Sequence, residues 1–436
     1  MASELFTSGL GAESRQSYHP PISAAQQQAT EPAAALAAPN AAAEGITPAG
    51  AAALAAGFPV QALRFTPHNW PFQPLPPPKD PSPYRYDLSR LLSGADIQKI
   101  EDAGVLVMHT VGDTGDYRGR QKDFVSAMMT ADAENAADTK KPAIFYHLGD
   151  IVYFAGDIDM YGDNFYETYR LYPPLIVSIP GNHDCQPDDP QDGDVHPNKY
   201  PLDGWVKNFM SSDPTQLGSL KTGAGRTQMD LPNVFWTFTT PLATIIGLFS
   251  NVGENESEIH QDQLDWFTSE LRAADQNLAL IVAVHHPPFS GDTEHAGSTA
   301  VYRSLFDSFA AANRYPHLIL SGHVHNYQRF THTLAEAGGQ GQIACVVAGA
   351  GGYTRLGKLH KINGQYPQTP LNLGTTLRLE GYDHDNFGVL RLEISKTAIK
   401  GTYLSAPYST AEDPVAQTAD SFSIDLEERT VTTLGG

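Results

Sequence analysis

Residues 105–115 read VLVMHTVGDTG, residues 143–153 read AIFYHLGDIVY, and residues 175–184 read LIVSIPGNHD. Each is a short apolar, β-rich run that stops at a glycine followed by a carboxylate or amide. Two further runs, Leu278–Val284 and Leu318–Leu320, end comparably at VAVHH (282–286) and GHVH (322–325). Strands this continuously apolar are buried on both faces, as in sheets covered by helices. Helical segments stand between them at 121–134 (QKDFVSAMMTADAE), 261–275 and 300–314. The alternation predicts an α/β sandwich. A second β-rich set (VFWTF, LATIIGLF, IACVVAG, FGVLRLEIS, IKGTYL and DSFSIDL) completes two sheets of one domain, and no internal repeat is present.

Outward from this centre the composition changes. Residues 24–56 are about half alanine without an amphipathic period, which reads as a flexible tail. The proline-rich stretch 67–84, PHNWPFQPLPPPKDPSPY, reads as an extended strap along the surface. The expected division is therefore 1–84 tail and strap, and 85–436 a single catalytic domain. A long insert from Gln186 to Leu231, rich in Asp, Pro and Gly, is expected to rim the site and influence substrate choice.

The chain has 436 residues, 41% of them hydrophobic, enough for a sizeable core. Its formal net charge of -21 repels nucleic acid and anionic membranes. It does not exclude a small phosphorylated substrate, because bound cations reverse the field locally. Only Cys185 and Cys345 are present, so a disulfide framework and a thiolate zinc site are excluded, and both read as ordinary buried thiols. No apolar run approaches the roughly 18 residues that a membrane span needs. MASELFTSGL has no basic region followed by an apolar one, so a cytoplasmic location is the default expectation. A chain begun after a removed signal, secreted or periplasmic, would read the same.

The motifs at the strand ends, GDTG (112–115), GDIVY (149–153), GNHD (181–184), VAVHH and GHVH, offer Asp113, Asp150, Tyr153, Asn182, His285, His323 and His325. Loops after strand ends are where α/β folds build sites, and carboxylate, imidazole and amide donors suit iron, manganese or zinc. Each motif alone is weak: a GD dipeptide is usually a turn, and most tyrosines are packing residues. Seven compatible donors at five strand ends are not explained by folding alone. His109 and His147, inside apolar runs, read as satisfied core residues.

This set resembles the purple acid phosphatase signature GDxG, GDxxY, GNH[DE], VxxH and GHxH within the calcineurin-like metallophosphoesterases, over roughly residues 104–350. GHVHNYQR (322–329) and VVAGAGGYTR (346–355) fit the same family. Most relatives outside the purple branch have a DxH first motif and no ligand tyrosine, whereas this chain has Asp113-Thr-Gly and Tyr153. The resemblance implies a metallophosphoesterase-type β-sandwich, two mixed sheets flanked by helices in four α/β/β/α layers. Residues 1–100 are too low in complexity for the extra N-terminal β domain of plant members.

Carried over by residue, the resemblance implies an iron(III) site of Asp113, Asp150, Tyr153 and His325. A second site (Fe, Zn or Mn) is implied at Asp150, Asn182, His285 and His323, with Asp150 shared. His285 is preferred to His286 because the family's ligand is spaced H-x-P. Iron(III) and a divalent ion, less two carboxylates, a tyrosinate and an activated hydroxide nucleophile, leave one positive charge to draw in phosphate. His183 is implied as the phosphate-orienting or leaving-group-protonating residue, with His295 in FSGDTEHAGS as its partner; a surface-loop histidine is the blander reading of the latter. Asp184 either orients His183 or stabilises the turn. The expected activity is hydrolysis of phosphate monoesters, an acid phosphatase. A phosphodiesterase on nucleotides or lipids, and a catalytically silent scaffold, are the alternatives.

Overall fold

The computed structural model describes residues 75–115, 119–185, 201–211, 229–250, 259–334, 341–410 and 413–435. The expected tail, the first part of the strap (67–74) and most of the 186–231 insert lie outside these residues.

Two mixed sheets, flanked by helices, make the fold. Seven strands form one, in the order β16 (Val431–Thr433), β15 (Gln417–Asp425), β14 (Ala398–Ala406), β13 (Phe387–Ile394), β2 (Leu106–Val111), β3 (Ile144–His147) and β4 (Leu175–Ser178). Nine form the other, in the order β1 (Arg85–Asp87), β5 (Trp236–Thr239), β6 (Ala243–Leu248), β7 (Ala279–Val284), β8 (Leu318–Ser321), β10 (Gln342–Ala348), β9 (Tyr327–Thr333), β12 (Leu377–Asp383) and β11 (Leu371–Asn372). Only β2–β3–β4 and β6–β7–β8–β10 are parallel runs of three or more. Both are wholly or almost wholly buried along their length, as their unbroken apolar sequences require.

The sheets face each other across an aromatic core. The Tyr146 ring of β3 stacks on Trp236 of β5 at 5.7 Å, and the indole N–H donates to the Ser178 carbonyl at 3.1 Å. Farther along, Tyr327 of β9 stacks on Tyr403 of β14 at 4.0 Å. Beside that pair the buried Arg329 guanidinium grips the Asp420 carboxylate at 2.7 and 2.9 Å, joining β9 to β15. Of the helices, α1 spans Gly94–Ala103 and α2 spans Gln121–Asn135; α2 packs on β13, outside the seven-stranded sheet. The short α3 is Asp203–Phe209. Helices α4 (Gln261–Ala273) and α5 (Thr299–Ala312) pack on each other, α4 also contacting β6 of the nine-stranded sheet. Helix α5 begins where the Ser298 hydroxyl accepts the Val301 N–H, and stops two residues before its expected end because Asn313 turns left-handed at φ 50°.

Ahead of β1, the Lys79 and Asp80 N–H groups both donate to the Pro232 carbonyl, while Leu75 and Tyr84 pack against the core. Cys185 and Cys345 are both buried thiols. Among the described residues no helix is long and apolar enough to cross a membrane.

Two core histidines give the fold a defined response to acid. Burial pushes His317 down to about 3, with Arg429 and Arg314 adding to it; its Nδ1 accepts the Leu280 N–H. Burial pushes His332 down to about 4 in a pocket walled by Phe289 and Phe306. In the unfolded chain each protonates near its ordinary value of about 6.5, so below that pH the unfolded state binds more protons. Their contribution is intact above pH 6.5 and declines toward pH 4, by up to about 1.4 kcal/mol per pH unit for each. Urea unfolding midpoints measured at pH 7, 6 and 5 should fall progressively, and His332→Phe should flatten the slope.

Candidate metal centre

The loops leaving β2, β3, β4, β7 and β8 converge between the two sheets. The Gly112 N–H ties one sheet to the other by donating to the Ala348 carbonyl, and the Gly322 N–H joins the neighbouring ends of β8 and β7 by donating to the His285 carbonyl. Asp113, Asp150 and His323 have φ of 60°, 55° and 66°. A left-handed backbone is costly for residues with a Cβ and clusters at functional sites. Neighbours hold these turns in place: the Asp113 N–H bonds to the Gly149 carbonyl, the Thr114 N–H to the Asp150 carbonyl, and the His323 N–H to Asp113 Oδ2 at 2.8 Å. Crowding explains the glycines. A Cβ on Gly149, itself at φ 94°, would lie 2.6 Å from the Gly181 nitrogen and 2.7 Å from His285 Nδ1. One on Gly181 would lie 2.2 Å from Asp150 Oδ1.

All seven expected donors come together, in two groups with one member in common. In the first, the Tyr153 hydroxyl lies 3.1 Å from Asp113 Oδ1, 2.9 Å from Asp150 Oδ2 and 3.2 Å from His325 Nε2. In the second, Asn182 Oδ1 lies 3.1 Å from His285 Nε2 and 2.9 Å from His323 Nδ1, and His285 Nε2 lies 3.3 Å from Asp150 Oδ2. Ligand atoms of Asp150, His285 and His323 fall within 4.8 Å of one another. Asp150 is the shared member.

The surrounding bonds orient these side chains. His285 donates its Nδ1–H to the Leu148 carbonyl at 2.7 Å, which leaves Nε2, facing Asp150 and Asn182, as the nitrogen a cation would take in exchange for its proton. His286 instead pairs through Nδ1 with the Ser250 hydroxyl at 2.8 Å. Asp184 serves backbone N–H groups, and the His183 ring is held instead by the Phe154 carbonyl. The buried Asp184 carboxylate accepts the N–H groups of Asp150, Ile151 and Gly181 at 2.8, 2.9 and 2.8 Å, stitching the GDIVY loop to the GNHD loop. His183 donates its backbone N–H to Asp150 Oδ1 and its Nδ1–H to the Phe154 carbonyl. His295 lies beside the centre, its ring 4.9 Å from that of His323 and 5.0 Å from that of His325. Buried Asp292 holds the His295 loop by accepting the Glu294 and His295 N–H groups. His147 and His109 are satisfied core residues: His147 bonds Thr114, and His109 bonds Tyr172 and Asp132.

Sequence reasoning missed Tyr353, whose ring lies 4.2 Å from that of His325 and 4.6 Å from that of Tyr153. The one available signal was its place in the run VVAGAGGYTR.

Electrostatics fit this donor set to cations. Burial opposes the Asp150 charge, but the imidazoles of His285 and His183 outweigh it and hold this carboxyl well below its usual range. Burial works against the His285 charge too, yet Asp150 and Asp113 raise it to about 9. Burial, with Asp150 nearby, raises the Asp113 carboxyl and the Tyr153 phenol well above their ordinary values. His323 and His325 are pushed well below theirs by burial and by neighbouring imidazoles. The cluster thus combines neutral imidazoles with protons on Asp113, Tyr153 and His285 that a cation can displace. Oxygen and imidazole donors without a thiolate suit hard or borderline ions, and the shared carboxylate makes room for two.

Removing the Asp184 stitch tests how the centre is held. Asp184→Ala strands three buried N–H donors and should lower stability by on the order of 3–5 kcal/mol. Denaturant unfolding followed alongside elemental analysis should show metal content falling with it, while Asp184→Asn should retain part of both.

The family model for calcineurin-like phosphoesterases matches residues 89–327. No curated protein sequence matches the chain. Among solved structures, it is similar to PhoD, at 11% identity and a TM-score of 0.50 over 76% of this chain and 72% of that one. It is similar also to the anchor in the inner membrane complex of Plasmodium (14% identity, TM-score 0.48, 72% of this chain and 88% of that one). A dimetal phosphatase from Danio rerio follows, at 10% identity and a TM-score of 0.42 over 72% of this chain and 99% of that one. At such identities the likeness is one of fold. The family match covers more than half the chain and takes in all five loops of the centre, so the chain belongs to the calcineurin-like phosphoesterases, a superfamily of metal-dependent phosphoester hydrolases.

Proposed function

We propose that the chain is a phosphomonoesterase of the purple acid phosphatase type, working with iron(III) and a second divalent ion of iron, zinc or manganese. The observation that carries this reading is the Tyr153 phenol, set among Asp113, Asp150 and His325 at 2.9–3.2 Å. Asp113, Asp150, Tyr153 and His325 would hold the iron, and Asp150, Asn182, His285 and His323 the second ion. When bound, the pair supplies Lewis-acid polarisation of the phosphoryl group and lowers the pKa of water. The complete donor set argues for an enzyme over a silent scaffold.

The chain's own residues do the rest. With Nδ1 committed to the Phe154 carbonyl, His183 has Nε2 left to carry a proton to the leaving oxygen. His295, beside His323 and His325, would help orient the phosphate. Tyr153 is wholly buried, with the Tyr353 ring against it, so solvent is kept from the phenol side of the centre.

Purified protein loaded aerobically with iron should be pink or purple and contain one or two irons per chain. Tyr153→Phe should bleach the colour and keep the fold. A colourless wild type holding only zinc or manganese after that loading would overturn the iron assignment. Side-by-side assay of a monoester and a diester should favour the monoester.

His183→Ala should lower turnover by about 10²–10⁴-fold with both metals retained. The loss should be greater for an alkyl phosphate than for nitrophenyl phosphate, whose leaving group hardly needs a proton. Equal losses would make His183 a phosphate-binding residue instead.

A further inference from the structure

Around the centre the half-buried side chains are rings. His183 lies against Tyr153 at 4.3 Å and meets Phe154 edge-on at 5.9 Å. Phe154 meets Tyr353 edge-on at 6.3 Å, and Tyr353 lies over His325 at 4.2 Å. His295 and His323 continue the ring on the other side. Phe154, His183, Tyr353 and His295 all keep part of their surface accessible, although the donor residues they border are nearly all buried. This is an aromatic wall, partly accessible to solvent, next to the place where phosphate would bind.

Among the described residues after Tyr353, the nearby cations are committed elsewhere. Arg355, two residues after Tyr353, is paired with Glu294, and Lys358 is paired with Asp385. These pairs belong to the same clasp that fixes the wall. Asp292 bridges to Leu359, the Thr293 N–H donates to the Lys358 carbonyl, and the Gly357 N–H donates to the His325 carbonyl. The loop carrying His295 and the loop following Tyr353 are therefore held together as a unit. A wall of rings whose neighbouring guanidinium and ammonium groups are already neutralised suits a flat, uncharged organic group. It does not suit a leaving group bearing further phosphates, which the net charge of -21 also repels.

Resting on the phosphomonoesterase reading, we infer that Phe154 and Tyr353 form a stacking platform for the leaving group, and that the preferred substrates carry one phosphate on an aromatic or otherwise planar body. Offset or edge-on ring contacts of this kind are worth roughly three- to ten-fold in affinity.

Benzyl phosphate and ethyl phosphate test this directly, since both expel an alkoxide and differ in the ring. The metal-loaded wild type should show a KM roughly three- to ten-fold lower for benzyl phosphate. Phe154→Leu and Tyr353→Leu, checked for unchanged circular dichroism and metal content, should each erode that preference through the KM for benzyl phosphate. Equal KM values for the two esters in the wild type would overturn the platform, as would equal losses on both esters in both variants. A polyphosphorylated ester turned over as well as benzyl phosphate would overturn the charge argument. Failure of fully metal-loaded wild type to hydrolyse any monoester would instead defeat the phosphomonoesterase reading.

Discussion

A carboxylate with no access to water needs partners from several directions, and Asp150 is such a group. It is 1% exposed, and its oxygens receive the Tyr153 hydroxyl, the His183 backbone N–H and the His285 ring. Those partners come from both sheets: Tyr153 and His183 from loops of the seven-stranded sheet, His285 from the end of a strand in the nine-stranded one. A buried charge left without such partners would cost several kcal/mol. The two sheets must therefore meet in one register, and the neighbouring elements serve that register. Asp184 ties down the backbone under Asp150, and Gly149 and Gly181 make room for it.

The same burial that makes the cluster costly without cations equips it to take them. Imidazoles kept neutral by burial have their lone pairs available, and the raised Asp113 carboxyl and Tyr153 phenol favour protons that a metal ion can replace. Tyr153 is the member on which the proposed purple acid phosphatase reading rests. Its position rests on the Tyr153 N–H donating to the Gly115 carbonyl, at a point where a Cβ on residue 115 would run into the Ile151 carbonyl. The third residue after Asp150 and the second after Asp113 are thus tied together by backbone packing, which is why GDTG and GDIVY act as a pair.

Much of the fold could be read from the chain. Runs such as ALIVAV in β7 have one plausible fate, burial as a strand, and the helices between them carry ordinary caps. Strand β9 was not legible. Its sequence, YQRFTHT, alternates weakly and is rich in polar groups, yet six of its seven residues are buried. Three of its buried polar side chains depend on distant partners. Arg329 takes Asp420, Tyr327 donates to the same carboxylate, and Gln328 accepts the Gly291 N–H. A local pattern cannot announce burial that a residue ninety positions away makes tolerable.

Of the centre itself, the sequence alone determined which side chains offer donors and that each stands at a strand end. Glycine next to a carboxylate, amide or histidine leaves a local mark, and five such marks in order are a strong constraint. The grouping around a shared Asp150 and the preference for His285 over His286 came from the family resemblance and not from local pattern; the distances that bring those side chains together are set by tertiary structure. Tertiary structure also decided the roles of the bordering residues. Asp184 serves the backbone of two loops, His295 is a neighbour of the centre, and Tyr353 packs against His325 and Tyr153. Those outcomes depend on where two sheets place loops separated by tens to hundreds of residues, and spacing along the chain contains no measure of that distance.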